Sequence, residues 1–191
     1  MNRKNLWILI LLIVGICGIV VVEGIIKPKA RQMEMQYEAE QKNPYTHDIS
    51  RTLKYRNKYM GNAGNIANLN YSLPYHDLNQ SFQLYPDDLT VELKYNVQSE
   101  QLEEKKLQEM LLYVPTANFV MIDNLQALRM TFEDAVYTIE RKEVEKWYGE
   151  EGSLVTLQNI QSWRELVQEK MKDNQFIQQF NDQLVTREAV K

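Results

Sequence analysis

Nine consecutive residues alternate without a break. Leu89, Val91, Leu93, Tyr95 and Val97 fall on one parity, and Thr90, Glu92, Lys94 and Asn96 on the other. Side chains of a strand point alternately to its two faces, so the pattern demands a sheet with one dry face and one wet face. Phe82 and Leu84 form a shorter strand ahead of it. Pro86-Asp87-Asp88 supplies the turn between them, since proline presets φ and aspartate bonds its local backbone. The spacing predicts a hairpin over 81–97. Leu128, Met130 and Phe132 alternate with Arg129, Thr131 and Glu133, and Tyr137 and Ile139 follow Glu133-Asp134, which predicts a second antiparallel hairpin.

Between and after the hairpins the apolar spacing turns helical. Asn62 is a candidate N-cap for a helix burying Ile66, Leu69 and Leu73, which Pro74 stops. Ser99 reads as the N-cap of a helix carrying Leu102, Leu107, Leu111 and Val114. Pro115 is placed in the first turn of a second helix, running to about Asn124. Arg141–Tyr148 is predicted helical and closed by Gly149. Ser162-Trp163-Arg164-Glu165 matches a capping box, and Asp173 opens a last helix with Phe176, Ile177, Phe180 and Leu184 as its stripe. Strand pairs with helices packed on one face make an α+β domain.

The N-terminus reads differently. Leu6 to Val22 is a run without charge, interrupted at Glu23 and resumed by Gly24, Ile25 and Ile26 before Lys27-Pro28-Lys29. A helix from Leu6 to Ile26 would span roughly 31 Å, matching a bilayer core of about 30 Å. The run is longer than a signal-peptide core and lacks a small-x-small cleavage pattern. The expectation is an uncleaved N-terminal transmembrane helix over 1–29, a stalk over 30–50, an α+β domain over 51–150 and a helical C-terminal tail over 151–191. Basic residues flank both ends of the run, so charge does not orient it. The short N-terminal tail and the absence of cysteine after Cys17 favour an extracytoplasmic C-terminal domain in a single-pass protein of the cell membrane.

Residues 31–191 hold 18 Lys+Arg and 25 Asp+Glu, a net charge of −7. That balance disfavours nucleic acid as a partner. The chemical candidates are few. His47-Asp48 and His76-Asp77 are the only histidine–carboxylate neighbours. Adjacent residues rarely aim at one ion, so both histidines are expected in solvent-exposed loops and no metal site is expected. The acidic stretch Glu140 to Glu151 interleaves with lysine and arginine as helix-surface charges do, and the Gly149–Gly152 loop is a weak calcium candidate. Gly61-Asn62-Ala63-Gly64-Asn65 lacks the Gly-Lys-Ser/Thr ending of a phosphate loop and reads as a capped turn. Ser72, Ser81 and Ser153 sit in no nucleophile-elbow pattern. Hydrolysis would require two of Asp77, Asp87, Asp123 and Glu133 to converge in a cleft. No cofactor and no enzymatic activity are expected. The aromatics carry more signal: Tyr59, Tyr71, Tyr75 and Tyr85 are candidates for a partner-binding surface, because tyrosine joins an apolar ring to a polar tip.

The run Tyr59-Met60-Gly61-Asn62, Asn68-Leu69 and Leu73-Pro74 resembles the opening of a bacterial domain-of-unknown-function family found in Gram-positive envelope proteins. Val91-Glu92-Leu93-Lys94-Tyr95, Ala117 to Leu125 and Trp147-Tyr148-Gly149 continue the similarity, over residues 52–150. Pro115 and the segment after 150 depart from that pattern. The resemblance carries no established activity and no functional residue. It implies the outside part of a membrane-anchored, sensor-associated protein. Together these features predict a non-catalytic module that senses or binds a protein partner or an envelope ligand. An assembly subunit using the C-terminal helices is the alternative.

Overall fold

The computed structural model describes residues 3–149 and 153–190. The chain divides into two compact units, Met1–Glu40 and Gln41–Lys191. The first is helical: α1 (Arg3–Val21), a π-helical turn (Val22–Ile26) and most of α2 (Lys27–Lys42). The transmembrane helix expected from the sequence is not found. Among the described residues, no helix is long and apolar enough to cross a membrane. The part of α1 after the polar Asn5, Leu6–Val21, is sixteen residues, or about 24 Å at 1.5 Å per residue, short of the roughly 30 Å needed. Val22–Ile26 leaves α-geometry, and Glu23 there pairs with Lys27 of the polar α2.

The second unit is α+β. Its elements are a 3₁₀ segment (Ile49–Tyr55), α3 (Ala63–Ser72), β1 (Asn79–Tyr85), β2 (Thr90–Tyr95), α4 (Glu104–Met121), β3 (Ala127–Thr131), β4 (Ala135–Glu140), α5 (Arg141–Tyr148), α6 (Ile160–Trp163) with irregular turns to Lys172, α7 (Asn174–Leu184) and β5 (Val185–Ala189). The sheet order is β1-β2-β3-β4-β5. β1–β2 and β3–β4 are antiparallel, as the alternation predicts. β2 and β3 join the two hairpins in parallel, Val91 opposite Leu128 and Leu93 opposite Met130, with α4 as the crossover. The core face carries Val91, Leu93, Tyr95, Leu128, Met130, Tyr137 and Ile139, all buried. The opposite face carries the half-exposed Glu92, Lys94, Arg129, Thr131 and Thr138.

α4 is the axis of the core. Every residue from Glu109 to Met121 is buried, and the helix touches β3, α3 and α7. Pro115 lies inside this one helix rather than opening a second. It cannot bond the Leu111 carbonyl, a cost of roughly 3 kcal/mol in an exposed helix. Burial on every side offsets that cost, and Thr116 Oγ1 and Asn118 Nδ2 bond the Leu112 and Val114 carbonyls at 2.7 and 2.9 Å. Beyond Met121, Arg141 Nη1 reaches the carbonyls of Phe119 and Ile122, both at 3.0 Å, and so fastens the end of α4 to the start of α5.

The C-terminal segment belongs to the same core. Trp163, Val167, Met171, Ile177 and Phe180 are buried in one cluster with Tyr113, Phe119 and Ile66. Asn159, not Ser162, caps α6, accepting from Gln161 and Ser162 N–H. Asp173 caps α7 by accepting from Gln175 N–H at 2.9 Å. The segment is not wholly helical, because β5 follows α7 and pairs antiparallel with β4.

Candidate functional site

Buried polar groups gather where residues 43–48 cross α4. Asn43-Pro44 ends α2, and the chain turns into the core instead of continuing as a stalk. Gln168 Nε2 donates to the carbonyls of Pro44 and His47, each at 2.9 Å. The Tyr45 hydroxyl donates to Glu109 Oε1, and the Tyr75 hydroxyl donates to Oε2 at 3.1 Å. Lys105 Nζ stands 4.0 Å from the same carboxylate. Glu109 is 8% exposed, so these partners are what makes its burial tolerable. Burial pushes both tyrosine hydroxyls well above the usual phenol range, and the Glu109 charge adds to it. Tyr75 reaches Glu109 from a left-handed backbone, φ 68°, a conformation costing a non-glycine residue about 1–3 kcal/mol.

His47 is 2% exposed, not the solvent-exposed loop residue its sequence neighbours suggest. Its Nδ1 lies 2.7 Å from the Tyr113 hydroxyl and its Nε2 3.0 Å from the Ser72 carbonyl. A carbonyl only accepts, so Nε2 carries the proton and Nδ1 accepts from Tyr113. Burial pulls the imidazole down to about 4, against smaller upward pulls from the Ser72 carbonyl and Asp48. The ring is therefore neutral at physiological pH and saturated at both nitrogens.

These groups hold the chain together. A groove of about 270 Å³ lies between α4 and α7 and is lined by Glu104, Lys105, Gln108, Asn174, Ile177 and Gln178. Among the described residues, no group of three or more His, Cys, Asp or Glu side chains converges on a metal position. Residues 150–152 of the calcium candidate loop lie outside the described residues. Asp87 sits in the β1–β2 turn, at the start of β2 and β3, and Glu133 sits in the β3–β4 turn at their far end. Five residues of strand put them about 17 Å apart, too far to share a substrate bond.

The four tyrosines proposed from sequence go to different places. Tyr59 and Tyr71 are 61% and 75% exposed, Tyr75 is in the core, and Tyr85 is half-buried on the open sheet face. The Tyr85 hydroxyl donates to Glu92 at 2.8 Å. Burial pushes Glu92 up, but bonds from Thr131 and Tyr85, with Lys94 beside them, hold it below the usual carboxylate range. Tyr59 precedes α3 by four residues, and Tyr71 lies in its last turn. His76 packs its ring on Tyr71, centroids 4.9 Å apart. Sequence reasoning missed Glu109 and Gln168 and placed His47 in an exposed loop. The only local hint for Glu109 was a carboxylate inside the apolar run of α4.

The segment around Tyr59 and Tyr71, with the sheet and α4, also carries the comparison with known proteins. A domain of unknown function, DUF4825, is found at residues 52–143. No curated protein and no solved structure matches the chain. The DUF4825 segment spans α3, β1–β4 and α4 but stops within α5. It therefore excludes Trp163, Phe180 and β5, which complete the core and sheet around it.

Proposed function

We propose that the Gln41–Lys191 unit is a non-catalytic module that binds a protein partner through the surface bearing Tyr59 and Tyr71. One observation carries the reading. Of the ten tyrosines in this unit, eight are buried or half-buried and these two are exposed. An exposed ring gains little for the fold, yet tyrosine is among the residues that contribute most when an interface closes over them. The interior titratable groups support the non-catalytic half of the reading, since Glu109 and His47 spend their bonding capacity on other protein groups. The C-terminal helices turn their apolar residues into the unit's own core, which disfavours them as the assembly surface. An extracytoplasmic setting, the one a Gram-positive envelope protein would have, suits a unit with no cysteine.

The test is site-specific photo-crosslinking in the native cell. A photoreactive phenylalanine analogue replaces Tyr59 or Tyr71 in turn, with exposed Gln183 as the control position. A discrete crosslinked protein from position 59 or 71 and not from 183 is expected. Equal labelling from all three positions, or none from 59 and 71, overturns the proposal.

A further inference from the structure

Between Asp48 and Asp77 the sequence has no acidic residue and four cations, Arg51, Lys54, Arg56 and Lys58. The rest of residues 41–191 holds 13 Lys+Arg against 22 Asp+Glu, a net charge of −9. One short stretch thus carries a positive field on an otherwise acidic unit. Local geometry gathers it. Ile49–Tyr55 is 3₁₀-helical, where residues three apart eclipse, so Arg51 and Lys54 share an edge. Arg56 is extended, and the Asn57 backbone bonds Met121 and Asp123 like a strand residue, N–H to Met121 carbonyl at 2.8 Å and carbonyl to Asp123 N–H at 3.0 Å. Arg56 and Lys58 flank Asn57 in sequence, two residues apart.

All four cations are exposed. Among the described residues, Lys54, Arg56 and Lys58 enter no ion pair, whereas Lys94, Lys142, Lys146 and Lys172 each have a carboxylate within 4 Å. Lys54 and Lys58 rest instead near tyrosine rings, 4.9 Å from the Tyr55 centroid and 5.5 Å from that of Tyr59. Three unneutralised charges beside an exposed ring are a surface of stated polarity with an apolar foothold.

We propose that Lys54, Arg56, Lys58 and Tyr59 form the docking site for an acidic peptide segment of the partner. The inference rests on the partner-binding reading above and gives that partner its chemistry. From position 54 to 59 the patch is at most about 17 Å long, the length of roughly five extended residues. A long polyanion would overrun it onto the surface of net charge −9, within a screening length of about 8–10 Å, and be repelled there. A short acidic stretch with an apolar residue for Tyr59 meets neither obstacle.

The experiment uses the full chain and a fluorescein-labelled peptide of five glutamates and one leucine, read by fluorescence anisotropy at low salt, with the same peptide carrying glutamine for glutamate as the control. The glutamate peptide is expected to bind and the glutamine peptide not to. K54E/R56E/K58E should weaken the glutamate peptide at least tenfold with an unchanged circular dichroism spectrum. Raising salt to about 300 mM should weaken the wild-type complex several-fold. Failure of the wild type to bind, or equal binding by the triple variant, overturns the inference. So does tighter binding of a ten-base-pair DNA duplex, which would assign the patch to nucleic acid. Crosslinking from position 59 separates the two proposals. A crosslinked partner that persists in the triple variant rejects acidic docking and leaves partner binding standing, whereas no crosslink in the wild type rejects partner binding itself.

Discussion

The Tyr113 hydroxyl donates to His47 Nδ1 across 2.7 Å, and the bond can run in only one direction, because the other ring nitrogen already donates to Ser72. Protonating His47 would place a second N–H against that hydroxyl in a dry site. The folded state resists protonation down to about 4, while an unfolded histidine protonates near 6.5. Between those values the unfolded chain binds more protons, so stability is full above about 6.5 and is lost as pH falls toward 4. By pH 5 the loss is expected to reach about 2 kcal/mol. Urea unfolding at pH 7.5 and 5.0 measures it, with His47→Gln as the reference. A variant as acid-sensitive as the wild type would place the effect elsewhere.

Removing the Glu109 carboxylate leaves the buried Tyr75 hydroxyl without its acceptor and the half-buried Tyr45 hydroxyl with only the longer bond to the Met171 carbonyl, at 3.3 Å. Glu109→Ala is expected to cost about 3–5 kcal/mol, more than Tyr75→Phe, which leaves the carboxylate with Tyr45. Denaturation midpoints of the two variants give the order. Equal losses would mean that Tyr75 alone carries the carboxylate's contribution.

Asn70 and Asn118 exchange amide hydrogen bonds across the core, Nδ2 to Oδ1 at 3.1 Å and 3.0 Å, and each Nδ2 also reaches a helix carbonyl. Either single alanine leaves a buried amide half-satisfied. The double variant is therefore expected to lose about 1–2 kcal/mol less than the sum of the singles. A double-mutant cycle in chemical unfolding reads the coupling directly.

A fragment ending near residue 150 exposes the pockets of Trp163, Val167, Met171, Ile177 and Phe180, each at most 1% exposed in the whole chain. It is expected to lose its cooperative thermal transition and its dispersed amide NMR spectrum. A folded 41–150 fragment would show that the C-terminal segment packs on a core already complete.

Much of this fold could be read from side-chain spacing. β2 is half-buried, so the alternation across its six residues reports its environment directly, and Pro86-Asp87-Asp88 and the caps at Asn62 and Asp173 follow from local bonding alone. β5 could not be read this way. As an edge strand with four of five residues exposed, Val185–Ala189 has no dry face to leave a pattern. Pro115 misled because the proline rule describes helices with an exposed side, and α4 has none over that stretch. The N-terminal run misled because counting apolar residues assumes unbroken α-geometry, which ends at Val21. His47 misled because its burial depends on Tyr113 and Gln168, both more than 60 positions away. Of the four tyrosines proposed as a surface, Tyr59 and Tyr71 share a feature visible only in three dimensions, namely that more than half of each is exposed.

The β4–β5 ladder joins positions 46 to 54 apart, Ile139 with Val185 and Ala135 with Ala189, whereas each hairpin closes across a handful of residues. Distant closure is slow because chain entropy is lost before the ladder forms. The hairpins should therefore assemble early, while the flank of β4 waits with its backbone donors and acceptors unclaimed until α7 has docked. In that interval any extended segment of suitable register can take β5's place, so this flank is where newly made chains are most exposed to mispairing with one another.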